Sequence, residues 1–180
     1  MAHRPRDVSA GMFHIWTHCV WEARAYYRDD LDRLDFLRRL ARVTAEREWR
    51  CMGFCLMRTH YHLLVEVSDG VLPAAMHALN HGYSCTFNRR HGLRGHVQSS
   101  RYGSRRIRGR QELLVAYAYA MNNPVDAGLC SRASSWRWSS LGGTLGLTER
   151  ASFIDDGPIL GCFRRELDPW VALRRSVEES

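Results

Sequence analysis

The sequence predicts an α+β fold, an antiparallel sheet with helices packed on one face. Three observations predict it. Residues 12–21, 50–57 and 60–68 are short runs rich in aromatic and β-branched types, the signature of strands. Longer segments between and after them carry apolar residues at helical spacing. The chain has 180 residues, 45% hydrophobic and 25% charged, which is one domain's length with enough apolar material for a real core.

The elements follow in order. MFHIWTHCVW, residues 12–21, is the first strand. Asp29 and Asp30 then offer an N-cap, and Leu31, Leu34, Leu37, Leu40 and Ala41 recur at helical spacing to about Glu48. A second strand covers Arg50 to Met57, and the break at Arg58-Thr59 leads into a third, His60 to Ser68. Pro73 sits in the first turn of the next helix, where its missing N–H costs nothing. Leu72, Ala75, Met76, Leu79, Tyr83 and Phe87 line one side of that helix. The arginine- and glycine-rich stretch 89–110 holds a loop and a short edge strand near Tyr102 to Ile107. Gln111 to Asn122 is a last helix, stopped by Pro124 because the residue before proline avoids helical angles. Beyond Gly128 the periodicity fades, with Trp136, Trp138 and Trp170 as expected anchors. The order strand–helix–strand–strand–helix–(strand)–helix is that of a ferredoxin-like sheet. One domain over 1–141, with a C-terminal extension over 142–180 packed on or near it, is the expected organisation.

Composition excludes several classes. The longest apolar run, Leu113 to Met121, has nine residues, too few for a membrane-spanning helix. Met1 to Ala10 is polar and lacks the apolar stretch of a secretory leader, so the cytoplasm is the expected compartment. The six cysteines form no C-x-x-C pair and read as reduced thiols. All 26 basic residues are arginine, against 19 acids, giving +7. No acid lies between Asp69 and Glu112, where Arg89, Arg90, Arg94, Arg101, Arg105, Arg106, Arg108 and Arg110 fall. That segment holds the whole surplus. An arginine-favouring genome explains the missing lysines but not the missing acids. Planar guanidinium groups suit phosphate oxygens, so these eight arginines point to nucleic acid.

The third strand carries the most chemistry. Tyr61, Leu63, Val65 and Val67 face one way, toward the helices; His60, His62, Leu64 and Glu66 face the other. Two imidazoles at i and i+2 can share one metal ion, although an isolated H-x-H is also common on a half-exposed sheet. His77 and His81, four apart on a helix, have ligand spacing too, but lie at the flank of the apolar stripe. His14 and His18 share a face of the first strand, where they either reach DNA or support the sheet. In the last helix Tyr117 joins the buried stripe of Leu113, Leu114 and Met121. Tyr119 points about 200° away, on the polar side. A tyrosine there is a rim residue, or a nucleophile if something helps it lose a proton whose ordinary pKa is about 10.

Taken together, GFCLMRTHYHLLVEV, GYSCTFNRRHGLRGHV, RYGSRRI, AYAMNNPVDAGL and WRWSS resemble the HUH single-tyrosine transposases of bacterial insertion sequences. The nearest branch is the REP-associated tyrosine transposases. The resemblance runs in order over about residues 12–141. It rests most on the Tyr-x-x-x-Asn-Pro-Val-x-Ala-Gly block and the Trp-Ser-Ser. It implies that His60 and His62 ligate a divalent metal, Mg²⁺ or Mn²⁺, and that Tyr119 attacks DNA. The family's third polar ligand, one turn after the tyrosine, matches Asn123, with Glu66 a rival. Arg58-Thr59, Gln98-Ser99 and Asp126 depart from the family, which has Pro-Asn, an aromatic with Gln, and Arg there. The implied activity is cleavage and rejoining of single-stranded, hairpin-associated DNA through a 5′-phosphotyrosine, by a monomer or homodimer. The metal is not fixed by residue type, since two imidazoles also attract Zn²⁺ or Ni²⁺. Two other readings stand beside it. One is a water-using nuclease that adds His77 and His81 to the metal site. The other is an inactive ferredoxin-like module that binds nucleic acid.

Overall fold

The computed structural model describes residues 9–20 and 25–179. Four strands, β1 (Gly11–His18), β2 (Arg50–Leu56), β3 (His60–Val67) and β4 (Gly103–Ile107), form one sheet in the order β2-β3-β1-β4. Every neighbouring pair is antiparallel, as the ferredoxin-like reading requires. The first strand was expected to reach Trp21, which lies outside the described residues.

Helices α1 (Asp30–Glu46) and α2 (Val71–His91) cover one face. There Phe13 and Ile15 of β1, with Tyr61, Leu63 and Val65 of β3, pack on Phe36, Leu40, Met76, Leu79 and Tyr83. The Asp29 carboxylate caps α1 by accepting from the Asp32 amide at 3.1 Å. Arg90, near the end of α2, pairs with Asp29 at 2.6 Å and with buried Asp32, while His91 meets Asp32 at 3.0 Å. This network ties the start of α1 to the end of α2.

The expectation that all helices share one face needs correction. Helix α3 (Arg110–Asp126) lies across the opposite face, with Leu113, Tyr117, Ala120 and Met121 packed on Met52, Cys55 and Leu64. The reason is visible in the strands: Leu64 sits between two histidines and Glu66, and Cys55 pairs with His62, so that face is apolar over half its width. The later elements complete this second core. They are the short helices α4 (Leu141–Thr144) and α5 (Gly157–Leu160), then α6 (Pro169–Glu178), which contributes Leu173 and Val177. Trp138 is buried and the Trp136 indole donates to the Leu56 carbonyl at 3.2 Å, but Trp170 is half exposed and belongs to neither core.

Pro124 does not stop α3 either, which continues to Asp126. Its missing N–H forfeits only the bond to the Ala120 carbonyl, one turn from the end. Ala127 N donating to Asn123 O at 3.0 Å and Leu129 N to Pro124 O at 2.8 Å then close the terminus.

At one point α3 meets the sheet backbone directly. The β2–β3 register shifts between Cys51 and Gly53, and a Cβ on Gly53 would stand 2.8 Å from the Tyr117 ring. Gly53→Ala is therefore expected to destabilise the protein by about 1–3 kcal/mol through overpacking. Urea denaturation of the two proteins measures it, and an unchanged midpoint would mean that α3 yields freely.

Candidate active site

Strand pairing brings together residues that are far apart in sequence. On the face shared with α3, β1 presents His14, Trp16 and His18, opposite Leu64, His62 and His60 of β3. On its other side β1 meets β4, with Arg105 opposite His14 and Gly103 opposite Trp16. The Trp16 indole packs against Gly103, where any Cβ would stand 2.3 Å from it.

Helix α3 covers only part of this face and presents Tyr119 and Asn123, one turn apart, at its open edge. Asn123 Nδ2 donates to the Tyr119 carbonyl at 3.0 Å, which turns Oδ1 outward to accept from His60 Nε2, also at 3.0 Å. The other nitrogen of His60 meets Thr59 Oγ1 at 3.1 Å. His62 Nδ1 hydrogen-bonds His14 Nε2 at 2.9 Å, and His62 Nε2 is buried with no hydrogen bond to the described residues. The Tyr119 ring stands edge-on, its centroid 5.5 Å from that of His62 and 5.8 Å from that of His14. Tyr119 is 55% exposed, whereas His62 is 4% and His14 7% exposed. His14, His60, His62 and Tyr119, with Trp16, Arg105 and Arg108, line a groove of about 740 Å³.

Burial controls the charge of the site. Desolvation, helped by neighbouring histidines, pushes the His62 pKa down to about 3. Desolvation and the Arg105 guanidinium push His14 down to about 4. His60 is lowered by burial as well, against the opposing effect of the Asn123 amide, which also acts on His62. All three imidazoles are thus neutral at pH 7, the form that ligates metals.

The residues fit a divalent ion. Neighbouring donors on an octahedral ion, each about 2.1 Å from it, stand about 3.0 Å apart. His60 Nε2 and Asn123 Oδ1 stand 3.0 Å apart, and Nε2 would offer a lone pair there with the His60 proton moved to Nδ1, where Thr59 Oγ1 can accept it. The orphaned Nε2 of His62 gives a further donor. Among the described residues no three His, Cys, Asp or Glu side chains converge, so a third protein ligand on such an ion would be an amide. Glu66, the rival ligand, is occupied elsewhere: it pairs with Arg50 at 2.7 Å, at the other end of β3.

The eight arginines do not form one surface. Arg105, Arg106 and Arg108 line the histidine groove. The Arg106 guanidinium is held by Ser9 and the Ala10 carbonyl above the Phe13 ring. Arg90 is committed to Asp29 and Asp32, and Arg110 lies beside Cys162. Arg101 lines a different cleft, beside His77 and His81, while Arg89 and Arg94 are exposed. His77 and His81 stack at 5.3 Å on α2, so the sheet separates them from His60 and His62. A metal site shared by all four histidines is thereby ruled out. Sequence reasoning left His14 open and missed Trp16; the even spacing of 14, 16 and 18 was the signal for both.

No protein-family model and no curated protein matches the chain. Solved structures do. A Deinococcus radiodurans R1 protein described as a transposase is 12% identical, with a TM-score of 0.45, over 66% of this chain and 95% of its own. A REP-associated tyrosine transposase bound to a REP hairpin is 14% identical, with a TM-score of 0.65, over 86% of this chain and 97% of its own. Over 86% of its length the chain thus has the fold of a REP-associated tyrosine transposase.

Proposed function

We propose that this chain is a DNA transposase of the single-tyrosine type, which cuts and rejoins single-stranded, hairpin-associated DNA through a covalent tyrosine link. The observation that carries the reading is Tyr119, exposed on α3 with its ring 5.5 Å from that of His62, and with Asn123 bonded to His60 one turn on. The structural neighbour bound to a REP hairpin makes folded DNA the favoured substrate class. The cytoplasm is where such a substrate would be met.

His60, His62 and Asn123 would hold the divalent ion, Mg²⁺ or Mn²⁺. When bound, it would supply Lewis-acid withdrawal of charge from the scissile phosphate and fix its orientation. Arg105 and Arg108 hold the DNA backbone in the groove by pairing with phosphates. Tyr119 Oη loses its proton and attacks phosphorus. The P–O3′ bond breaks, the 3′ oxygen takes up a proton, and a 5′-phosphotyrosine remains. The covalent bond keeps the phosphodiester available, so the reverse attack by a 3′-OH rejoins a strand, which hydrolysis would not allow.

The deciding experiment incubates the protein and Mn²⁺ with a hairpin oligonucleotide labelled at its 3′ end. A labelled protein band on a denaturing gel is expected. Cleavage with no such band would replace this reading with a water-using nuclease, and binding without cleavage with an inactive DNA-binding module.

Two further results are expected from this geometry. For single strands, log K falls with log salt by about 0.7 per neutralised phosphate. Arg105→Gln with Arg108→Gln is therefore expected to flatten the slope by about 1.4, and an unchanged slope would take both out of the interface. Because Tyr119 lies over the histidines of its own chain, a mixture of His62→Ala and Tyr119→Phe proteins is expected to form no adduct. Restored adduct on mixing would mean that two copies exchange tyrosines.

A further inference from the structure

The histidine pair on β3 has a neighbour of its own kind. His14, on β1, places Nε2 2.9 Å from His62 Nδ1 in a buried contact, and the two rings lie 5.1 Å apart. One of these nitrogens carries the shared proton, and the two possibilities leave His62 in opposite states. If His14 donates, the proton of neutral His62 must sit on Nε2. That nitrogen is buried without a hydrogen bond to the described residues, and the nearby acceptor, Asn123 Oδ1, already accepts from His60 Nε2, so a buried N–H there would be left unsatisfied. If His62 donates from Nδ1, its Nε2 keeps a lone pair, the only form able to bind a metal ion.

We infer that His14 is a positioning residue, which accepts the Nδ1 proton of His62 and so holds the Nε2 lone pair of His62 ready for the metal. Its importance for metal binding rests on the proposed function, but the proton arrangement does not. Metal-bound histidines are commonly oriented in this way by a carboxylate or a carbonyl on the second nitrogen. Here a second imidazole takes that place. The sheet makes it possible: Trp16 stands opposite His62 in the β1–β3 register, which leaves His14 one diagonal step away on the same face. His14 also touches the other side of the site, with its ring 5.8 Å from that of Tyr119. It therefore fixes the imidazole beneath the tyrosine.

The test reads the proton directly. Metal-free protein labelled with ¹⁵N-histidine is examined by long-range ¹H–¹⁵N correlation. In the wild type His62 is expected to show a protonated Nδ1 and a bare Nε2. His14→Phe keeps the ring volume but removes the acceptor, and is expected to release His62 toward the Nε2–H form. His14→Gln, whose amide oxygen reaches the place of Nε2, is expected to restore the first pattern. Mn²⁺ affinity, measured by calorimetry, is expected to fall about 10- to 100-fold in His14→Phe and to recover in His14→Gln. A wild-type His62 protonated on Nε2, or a His14→Phe protein with unchanged His62 signals, would overturn the inference. A wild type with the expected proton pattern that binds no Mn²⁺ would instead overturn the metal reading and leave the His14–His62 bond standing.

Discussion

Tyr119→Phe is expected to leave the fold and DNA affinity intact and to form no covalent adduct, a loss of at least about 10³-fold. The substitution removes one oxygen from a ring that is 55% exposed, so no packing is lost and no buried partner is stranded. DNA affinity rests on arginine–phosphate pairs that the hydroxyl does not join. Tyr117→Phe is the matched control, two residues away on the opposite side of α3. Its ring is fully buried against Gly53, and its hydroxyl makes no hydrogen bond, although Thr144 and Ser140 lie close. Burial also pushes its pKa up to about 12, so it has neither the access nor the acidity to attack. Removing that hydroxyl is expected to change stability by no more than about 1 kcal/mol and to leave adduct formation unchanged. Gel analysis of both variants with Mn²⁺ and labelled hairpin decides between them. Adduct from Tyr119→Phe and none from a folded Tyr117→Phe would assign the nucleophile to the wrong tyrosine.

The sequence made the site legible where one element carries the information. Alternation along 60–67 separates His60 and His62 from Tyr61, Leu63 and Val65, and the strand bears that out. Helical phase likewise separates Tyr119 from Tyr117 within α3. What stayed hidden depends on contacts between elements. Leu64 shares the histidine face, and only the placement of α3 over it shows that this face holds a second core. The same covering turns His62 from an expected surface residue into one that is 4% exposed. The β1–β3 register, which sets His14 beside His62, cannot be read from either strand alone. Pro124 misled because its local rule ignores how little a missing bond costs in a final turn. The arginine run has another limit: absence of acids along the chain says nothing of acids across it, and Asp29 and Asp32, at the start of α1, claim Arg90.

The two ligand histidines are expected to be equal in chemistry and unequal in stability. His60→Ala and His62→Ala each remove an imidazole that would hold the metal, so both are expected to lose hairpin cleavage entirely. Their surroundings differ, however. His60 is half buried, and its loss frees Asn123 Oδ1 at the groove, where water can replace the bond. About 0.5–1.5 kcal/mol is expected for that. His62 is enclosed, and its loss leaves His14 Nε2 without a partner beside a void between the sheet and Tyr119. An unsatisfied buried group costs about 1–3 kcal/mol, and the missing ring adds to it. In a protein of this size each kcal/mol lowers the melting temperature by about 2–4 °C. Thermal unfolding is thus expected to fall further for His62→Ala than for His60→Ala, while cleavage is lost in both. Equal melting temperatures would mean that water fills the His62 site and that α3 does not seal it. Cleavage surviving in either folded variant would take that histidine out of the chemistry.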